Sequence, residues 1–354
     1  MPLTITHHGR IDAIDADALA GLWEDCGRPA FYHPALLLAA ERHPLLPLSG
    51  AHYLAAWEGG RLDALLIAYQ QTAPDPFGTL ARTTGIVFAP PEGGLLGHFA
   101  HCYDSRILMR PGSAAGEPLL LRLEAVAAEL GVPGCGITNL ADPESLAAAE
   151  RAGYAVNVMH DRFIIDLGPY RDFDDYVAHL PRHGRQEMRR QLRKFAAEGG
   201  GTAVLRPGDA GLEDAVRLCH LTSARNGTPH YYPVDSFTRF LELCGDLVSV
   251  VSVCIGDRRA AAVICLDEPG RLHMWAGGVV YEHSDFSPYT LMFAACVRHA
   301  FASGVRFVEA GRTNPRIKER LGCAPKPLYS ALRSAPYRSP QATEPRPAHA
   351  DRID

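Results

Sequence analysis

Two stretches of this 354-residue chain repeat one order of apolar runs and turn residues, and that repeat commits the fold to two similar halves. The first reads LLLRLEAVAAELGVPGCGITNL from residue 119, then AAAERAGYAV from 147. The second reads LMFAACVRHAFASGVRFVEAGRTNP from 291, then KERLGCAPKPLY from 318. Each predicts a helix, a Gly-Val turn, a short strand, Thr-Asn, a second helix, a glycine and a further strand. Gly131-Val132 answers Gly304-Val305, Thr138-Asn139 answers Thr313-Asn314, and Gly153 answers Gly322. The Gly-to-Asn interval is shorter in the first copy and the Asn-to-Gly interval is longer, so chance agreement of turn residues is the competing explanation.

Length allows two domains, each able to bury a core. A hydrophobic fraction of 47% with 21% charged residues is that of a soluble globular protein. No apolar run is long enough to span a bilayer, and no basic region followed by an apolar stretch opens the chain, so no membrane partner and no secretion are expected. Nine cysteines without paired spacing fit buried thiols in a reducing cytoplasm, the expected location. A net charge of −5 argues against binding nucleic acid through bulk electrostatics; no DNA partner is expected, and any RNA contact must rest on a local patch. Lys194, Lys318 and Lys326 are the only lysines. A GC-rich genome explains most of that bias, but arginine cannot replace lysine where a compact, titratable ammonium is needed.

Helices are predicted over 16–26 and 34–42, then a hairpin turning at Glu58-Gly59-Gly60. Residues 72–97 read as irregular. After the first repeat unit, residues 155–167 form a strand that closes the first domain or opens the second, with Gly168-Pro169 at the boundary. A helix near 173–180, a basic helix over 182–198, a strand at 202–206 and a helix at 211–225 follow. A hairpin turns at Gly256-Asp257, and RLHMWAGGVV continues the meander into the second repeat unit. Gly199 to Gly201 and Gly277-Gly278 read as turns. The expected division is 1–167, 168–333 and a disordered Pro-rich tail at 334–354.

A helix pair, an antiparallel meander and a final helix-strand-helix-strand, given twice, is an α/β (α+β) layout of two tandem GNAT-like domains. Each would be a mixed, mostly antiparallel sheet flanked by helices. The chain resembles the Fem-type (FemAB-like) branch of the GNAT acyltransferases. The matching residues are Leu180-Pro181-Arg182 through Arg193-Lys194, Thr222-Ser223-Ala224-Arg225, Ser287-Pro288-Tyr289, and Glu309-Ala310-Gly311 leading to Lys318 and Arg320-Leu321-Gly322. The resemblance spans roughly residues 45–330, is stronger in the second half, and rests on the order of short motifs. It implies an acyltransferase whose usual donor is aminoacyl-tRNA, with Lys318 matching a cation of the donor site. The long helical arm of bridge-forming members is missing, so a peptidoglycan acceptor is not implied.

Four residues of the second repeat are candidate catalytic groups: Lys318, Tyr289, Arg312 and Tyr281. Acyl transfer from an activated ester to an amine needs no protein nucleophile; it needs an aligned, deprotonated amine and a stabilised oxyanion. A salt bridge to Glu319 would be the ordinary use of Lys318, and packing at a helix start the ordinary use of Tyr289. Arg225, His230, Tyr231, Tyr232 and Arg316 are candidate substrate-binding residues, together with Thr222. Asp285 and Glu309 are candidate general bases that the sequence does not rank. Arg182, Arg185, Arg189 and Arg193 step by three or four along one helical face. That face suits tRNA or nucleotide phosphates, or simply water.

The stretch VVYEHSDFSPYTL lacks the Gly-rich pyrophosphate loop of acetyl-CoA enzymes, which favours aminoacyl-tRNA over acyl-CoA as donor co-substrate. His98, His101 and Cys102 have no further ligands at a recognisable spacing, so neither metal nor resident cofactor is expected. No Ser-His-Asp pattern occurs. The reading is an acyltransferase acting on a small amine or hydroxylamine, in natural-product (antibiotic) biosynthesis. An acyl-CoA N-acyltransferase and a non-catalytic tandem-GNAT binding scaffold are the alternatives.

Overall fold

The computed structural model describes residues 2–72, 74–75, 77–88, 91–282 and 285–334. The expected disordered tail therefore lies outside the described residues, save for Ser334. The first half runs β1 (Leu3–His8), α1 (Ala16–Asp25), α2 (Pro34–Arg42), β2 (Leu48–Glu58), β3 (Arg61–Gln71), α3 (Thr79–Thr84), β4 (Gly94–Gly97) and β5 (Leu108–Met109). Its repeat unit is α4 (Gly116–Leu130), β6 (Gly134–Leu140), α5 (Pro143–Arg151) and β7 (Ala155–Asp166). The second half runs α6 (Phe173–His179), α7 (Arg182–Ala197), β8 (Gly200–Leu205), α8 (Leu212–Arg225), α9 (Val234–Cys244), β9 (Val248–Ile255), β10 (Arg258–Glu268) and β11 (Arg271–Val279). The second repeat unit is α10 (Pro288–Ala302), β12 (Phe307–Glu309), α11 (Pro315–Arg320) and β13 (Ala324–Ser334).

The repeat holds at the level of single backbone angles. Gly131 and Gly304 follow their helices at φ 68° and 67°, and Gly153 and Gly322 sit at 78° and 81°. Asn139 and Asn314 both adopt the left-handed region, at 56° and 61°, which asparagine tolerates better than other side chains. Start signals agree as well. Asp142 caps α5 and Ser287 caps α10, each accepting a backbone N–H three residues on, with proline next in sequence.

The thirteen strands of the described residues form one sheet, mostly antiparallel and flanked by helices. Its order is β1-β2-β3-β4-β6-β13-β7-β12-β11-β10-β9-β8, with β5 added against β3. Read inward from the two edges, β1-β2-β3-β4-β6 mirrors β8-β9-β10-β11-β12. At the centre the halves exchange their last strands. The chain's final strand β13 pairs with β6 of the first half, while β7 pairs with β12 of the second. Residues 155–167, read as a strand that closes one domain or opens the other, do both.

Burial follows the same logic. One apolar cluster is shared between the halves, joining Phe31, Tyr32 and Phe99 to Phe237, Phe240 and Trp275. Separate clusters pack α6, α7 and α10 against the second half of the sheet, and α4 and α5 against the first. Three sequence expectations differ from the structure. Residues 72–97 contain α3 and the buried four-residue strand β4, whose GLLG is too short to show a period. Val234–Cys244, for which the sequence pattern predicts no element, forms α9. Gly277 and Gly278 lie within β11 and Gly200 and Gly201 within β8, not in turns. At Gly278 a Cβ would stand 2.3 Å from the backbone carbon of Leu218, so the glycine lets α8 lie against the strand.

Candidate active site

β11 and β12 are parallel but pair over only three residues, Arg271–His273 against Phe307–Glu309. Beyond His273 and Glu309 they diverge. β11 also carries one extra residue against β10: Met274 faces Cys265 and Ala276 faces Ile264, leaving Trp275 bulged. The divergence opens a cleft of about 380 Å³. Met274, Trp275, Gly277 and Val279 form one wall, and Ala310 through Asn314 the other. From Met274 onward, the edge of β11 that faced β12 has no strand partner among the described residues.

Charge in this cleft has one sign. Arg225, Arg312 and Lys318 line it, and among the described residues no Asp or Glu does. Lys318 is 2% exposed and has no carboxylate within salt-bridge distance among the described residues. Burial, with a further push from Arg312, pulls its amine down to about 8. Its Nζ stands 5.4 Å from the centroid of the Phe163 ring. Arg312 is held from the first half: Nη1 donates to Asn139 Oδ1 (3.0 Å) and Nη2 to the Ala100 carbonyl (3.3 Å). Tyr289 is pushed up to about 12 by burial, with the Asn314 side chain opposing. Arg225 donates to the Val279 carbonyl (3.0 Å), and its guanidinium stands 5.8 Å from the Tyr281 ring centroid.

The first half has a matching feature. β4 and β6 are parallel, pair over Leu95–Gly97 and Cys135–Ile137, and then diverge. A cavity of about 270 Å³ lies there, with Leu80, Leu96 and Met159 among its walls. Arg312 and Thr313 line both cavities. His160, on β7, holds the Asn139 amide oxygen at 2.9 Å and is lowered to about 4 by burial and by Arg312.

The four candidate catalytic residues, Lys318, Tyr289, Arg312 and Tyr281, meet in the second-half cleft with Arg225, Tyr232 and Thr222. Tyr231 lines the first-half cavity instead. His230 and Arg316 are exposed and line neither cavity. Arg182, Arg189 and Arg193 are exposed on α7, whereas Arg185 donates to the Ala178 carbonyl (2.7 Å). Glu309 is fully buried and raised by burial; it contacts Arg271 and Arg162 beneath the cleft. The Asp285 carbonyl accepts from Lys194 (2.7 Å), away from the cleft lining. Tyr103 and Trp275, which sequence reasoning missed, and His101, which it weighed only as a metal ligand, also line the cleft. No local pattern marks them as cleft residues, because the wall forms only when the halves meet. His98 Nε2 bonds to the Phe31 carbonyl (2.8 Å), and among the described residues no group of three His, Cys, Asp or Glu side chains is placed to hold a metal. No helix among them is long and apolar enough to cross a membrane.

The family described as an acetyltransferase (GNAT) domain matches residues 182–319, from the start of α7 through α11. No curated protein matches the chain in sequence. Solved structures share the whole fold at low identity. A tandem GNAT protein from the clavulanic acid biosynthesis pathway is 14% identical and covers 94% of this chain and 99% of its own, with a TM-score of 0.55. FemX is 11% identical over 93% and 96%, at 0.59. L-PGS from Bacillus licheniformis is 12% identical over 92% and 93%, at 0.58. The split between β11 and β12 thus lies inside the stretch that matches the acetyltransferase (GNAT) domain, and the chain as a whole shares the doubled fold of FemX and of the tandem GNAT protein from the clavulanic acid pathway.

Proposed function

We propose that this protein transfers an activated acyl group, held in the cleft between β11 and β12, to the amine or hydroxylamine of a small acceptor. The observation that carries this reading is a cleft with three cations and no carboxylate among its lining residues. Such a field stabilises the oxyanion that forms when an amine attacks an ester or thioester carbonyl. It also disfavours an ammonium, so an entering amine is held neutral and nucleophilic. Lys318 and Arg312 face the oxyanion. The free edge of β11 offers backbone N–H groups to the same atom. Tyr289 and Tyr281 orient the donor, and Arg225, Tyr232 and Thr222 form its rim.

Aminoacyl-tRNA is the donor we favour. The Fem-type motifs of the sequence point to it, and the exposed Arg182, Arg189 and Arg193 on α7 suit its phosphates. His230, Tyr231 and Arg316 would lie on the approach to the cleft. The acceptor would be a small natural-product intermediate. An acyl-CoA donor is the second reading, favoured by the acetyltransferase description of the matched domain and by a groove of about 680 Å³ beside Ser287 and Thr290 at the start of α10.

The test is transfer itself. Purified protein is mixed with total tRNA charged with radiolabelled amino acids, or with labelled acetyl-CoA, plus an amine acceptor and an enzyme-free blank. Protein-dependent transfer from a charged tRNA supports the favoured reading, and transfer only from the thioester supports the second. Product from neither donor, across a panel of amines, speaks for a binding scaffold.

A further inference from the structure

The loop that follows β4 reaches from the first half into the second-half cleft and delivers His101 and Tyr103 to its wall. Each is 2% exposed. Among the described residues, neither ring nitrogen of His101, nor the hydroxyl of Tyr103, has a hydrogen-bond partner. An unpaired buried polar group costs about 1–3 kcal/mol, so three such atoms on one cleft wall point to a ligand that completes them. The loop is not loose. Trp275 Nε1 donates to the His101 carbonyl (3.1 Å), and Arg312 holds the Ala100 carbonyl beside it. The imidazole packs against both Tyr231 and Tyr232, with ring centroids 4.4 and 4.7 Å away. Its backbone is anchored and its ring is fixed, yet both nitrogens are unused.

We propose that His101 is the binding group for the acceptor's attacking nitrogen, and that the acceptor is a neutral primary amine carried on an aromatic or alkyl body. This rests on the acyltransfer reading of the same cleft. An imidazole nitrogen accepts an N–H from a neutral amine and leaves that amine's lone pair free to attack. The ring remains an acceptor because burial, Arg312 and His230 lower it to about 3. Tyr103 can meet a second polar atom. Trp275, Met274 and Tyr232 supply apolar surface for the acceptor's body. A permanently charged ammonium would face Arg312, Arg225 and Lys318 without a carboxylate to pair with. The first half thereby contributes a substrate-binding residue to the second half's cleft.

Benzylamine is the probe, with benzyltrimethylammonium as its charged analogue lacking an N–H. Full-length protein with 15N-labelled histidine is titrated with each at alkaline pH while the ring nitrogens are followed by NMR. Calorimetry gives affinities for the wild type, His101→Phe and His101→Gln. The proposal expects the His101 nitrogens to shift saturably with benzylamine. It expects His101→Phe, which keeps the ring's bulk, to bind at least tenfold more weakly, His101→Gln to recover part of that loss, and the quaternary analogue to bind at least tenfold more weakly than benzylamine. Equal affinity in His101→Phe overturns it. So does saturation without movement of the His101 nitrogens, equal binding of the quaternary ion, or no saturable binding of benzylamine. The NMR readout does not depend on His101→Phe folding. Amine binding at His101 without transfer from either donor would sink the acyltransfer reading and leave the subsite. Transfer with His101 silent would do the reverse.

Discussion

Arg312 and Asn139 are 173 residues apart and hydrogen-bonded, guanidinium to amide oxygen, at 3.0 Å. Each occupies the same part of its own repeat, just where the parallel strand pair diverges. Asn139 also donates to the Cys102 carbonyl (2.8 Å) and accepts from His160. One buried amide thus ties the second half's cleft wall to both the loop and the β7 strand of the first. Asn139→Ala removes three hydrogen bonds and puts alanine at a positive φ. We expect a loss of about 2–4 kcal/mol in urea unfolding. The variant should also lose transfer rate out of proportion to substrate affinity, because Arg312 is no longer aimed.

Lys318 gives a pH signature of stability. Its folded-state value of about 8 lies below the free amine's 10.5. Below pH 8 both folded and unfolded chains carry the proton, and the folded state bears the full cost of a buried ammonium. Between 8 and 10.5 the folded state releases its proton first, so stability rises across that window. Lys318→Met, which keeps the length and drops the charge, should therefore be more stable than wild type at pH 7, by about 3 kcal/mol. The difference should shrink between pH 8 and 10.5. Denaturant midpoints at pH 7, 9 and 10.5 check this.

Exchanged strands predict one cooperative unfolding transition. Gly136, at φ 143°, lies where β13 passes β6, and a Cβ there would stand 2.0 Å from the Ala331 carbonyl oxygen. Gly136→Ala pushes the chain's last strand off the first half. We expect it to destabilise by about 3 kcal/mol. Tryptophan fluorescence, with Trp23 and Trp57 in one half and Trp275 in the other, should show a single midpoint shifted as a whole. Two separated midpoints would mean that the halves fold independently.

The basic helix makes a salt-dependent prediction. If α7 meets the donor's phosphates, the triple variant Arg182→Ala, Arg189→Ala and Arg193→Ala should bind charged tRNA more weakly. Its plot of log affinity against log salt should flatten by roughly 0.7–0.9 per lost contact. Arg185→Ala should act differently, loosening the end of α6 through the lost bond to Ala178. Filter binding from 50 to 300 mM salt separates the two.

The sequence made the repeat legible because its signals are local. Glycines that end helices and asparagines at positive φ are chosen by the backbone at that point, whatever packs around them. For the same reason α2 and both hairpins could be placed from pattern alone. Lys318, Arg312, Tyr289 and Tyr281 were also within reach, since one short segment and its motifs hold all four. The exchange of β7 and β13 was not legible, because a strand's period says which face is buried and nothing about its neighbour. The place of His101 in the cleft was not legible for a related reason. The sequence shows it only beside His98 and Cys102, as a metal cluster without further ligands, whereas Tyr231, Tyr232, Trp275 and Arg312, which surround it, come from the other half of the chain.

The most direct test of the central claim, that the cleft between β11 and β12 performs acyl transfer, is the single-turnover transfer rate of Lys318→Met beside wild type, with whichever donor is active. Because this substitution should stabilise the fold at pH 7, lost activity cannot be ascribed to unfolding. The account predicts a rate at least a hundredfold lower, about 2.7 kcal/mol of lost oxyanion stabilisation, with donor affinity within a few fold of wild type. A wild-type rate in a folded Lys318→Met protein would contradict it and move the chemistry elsewhere.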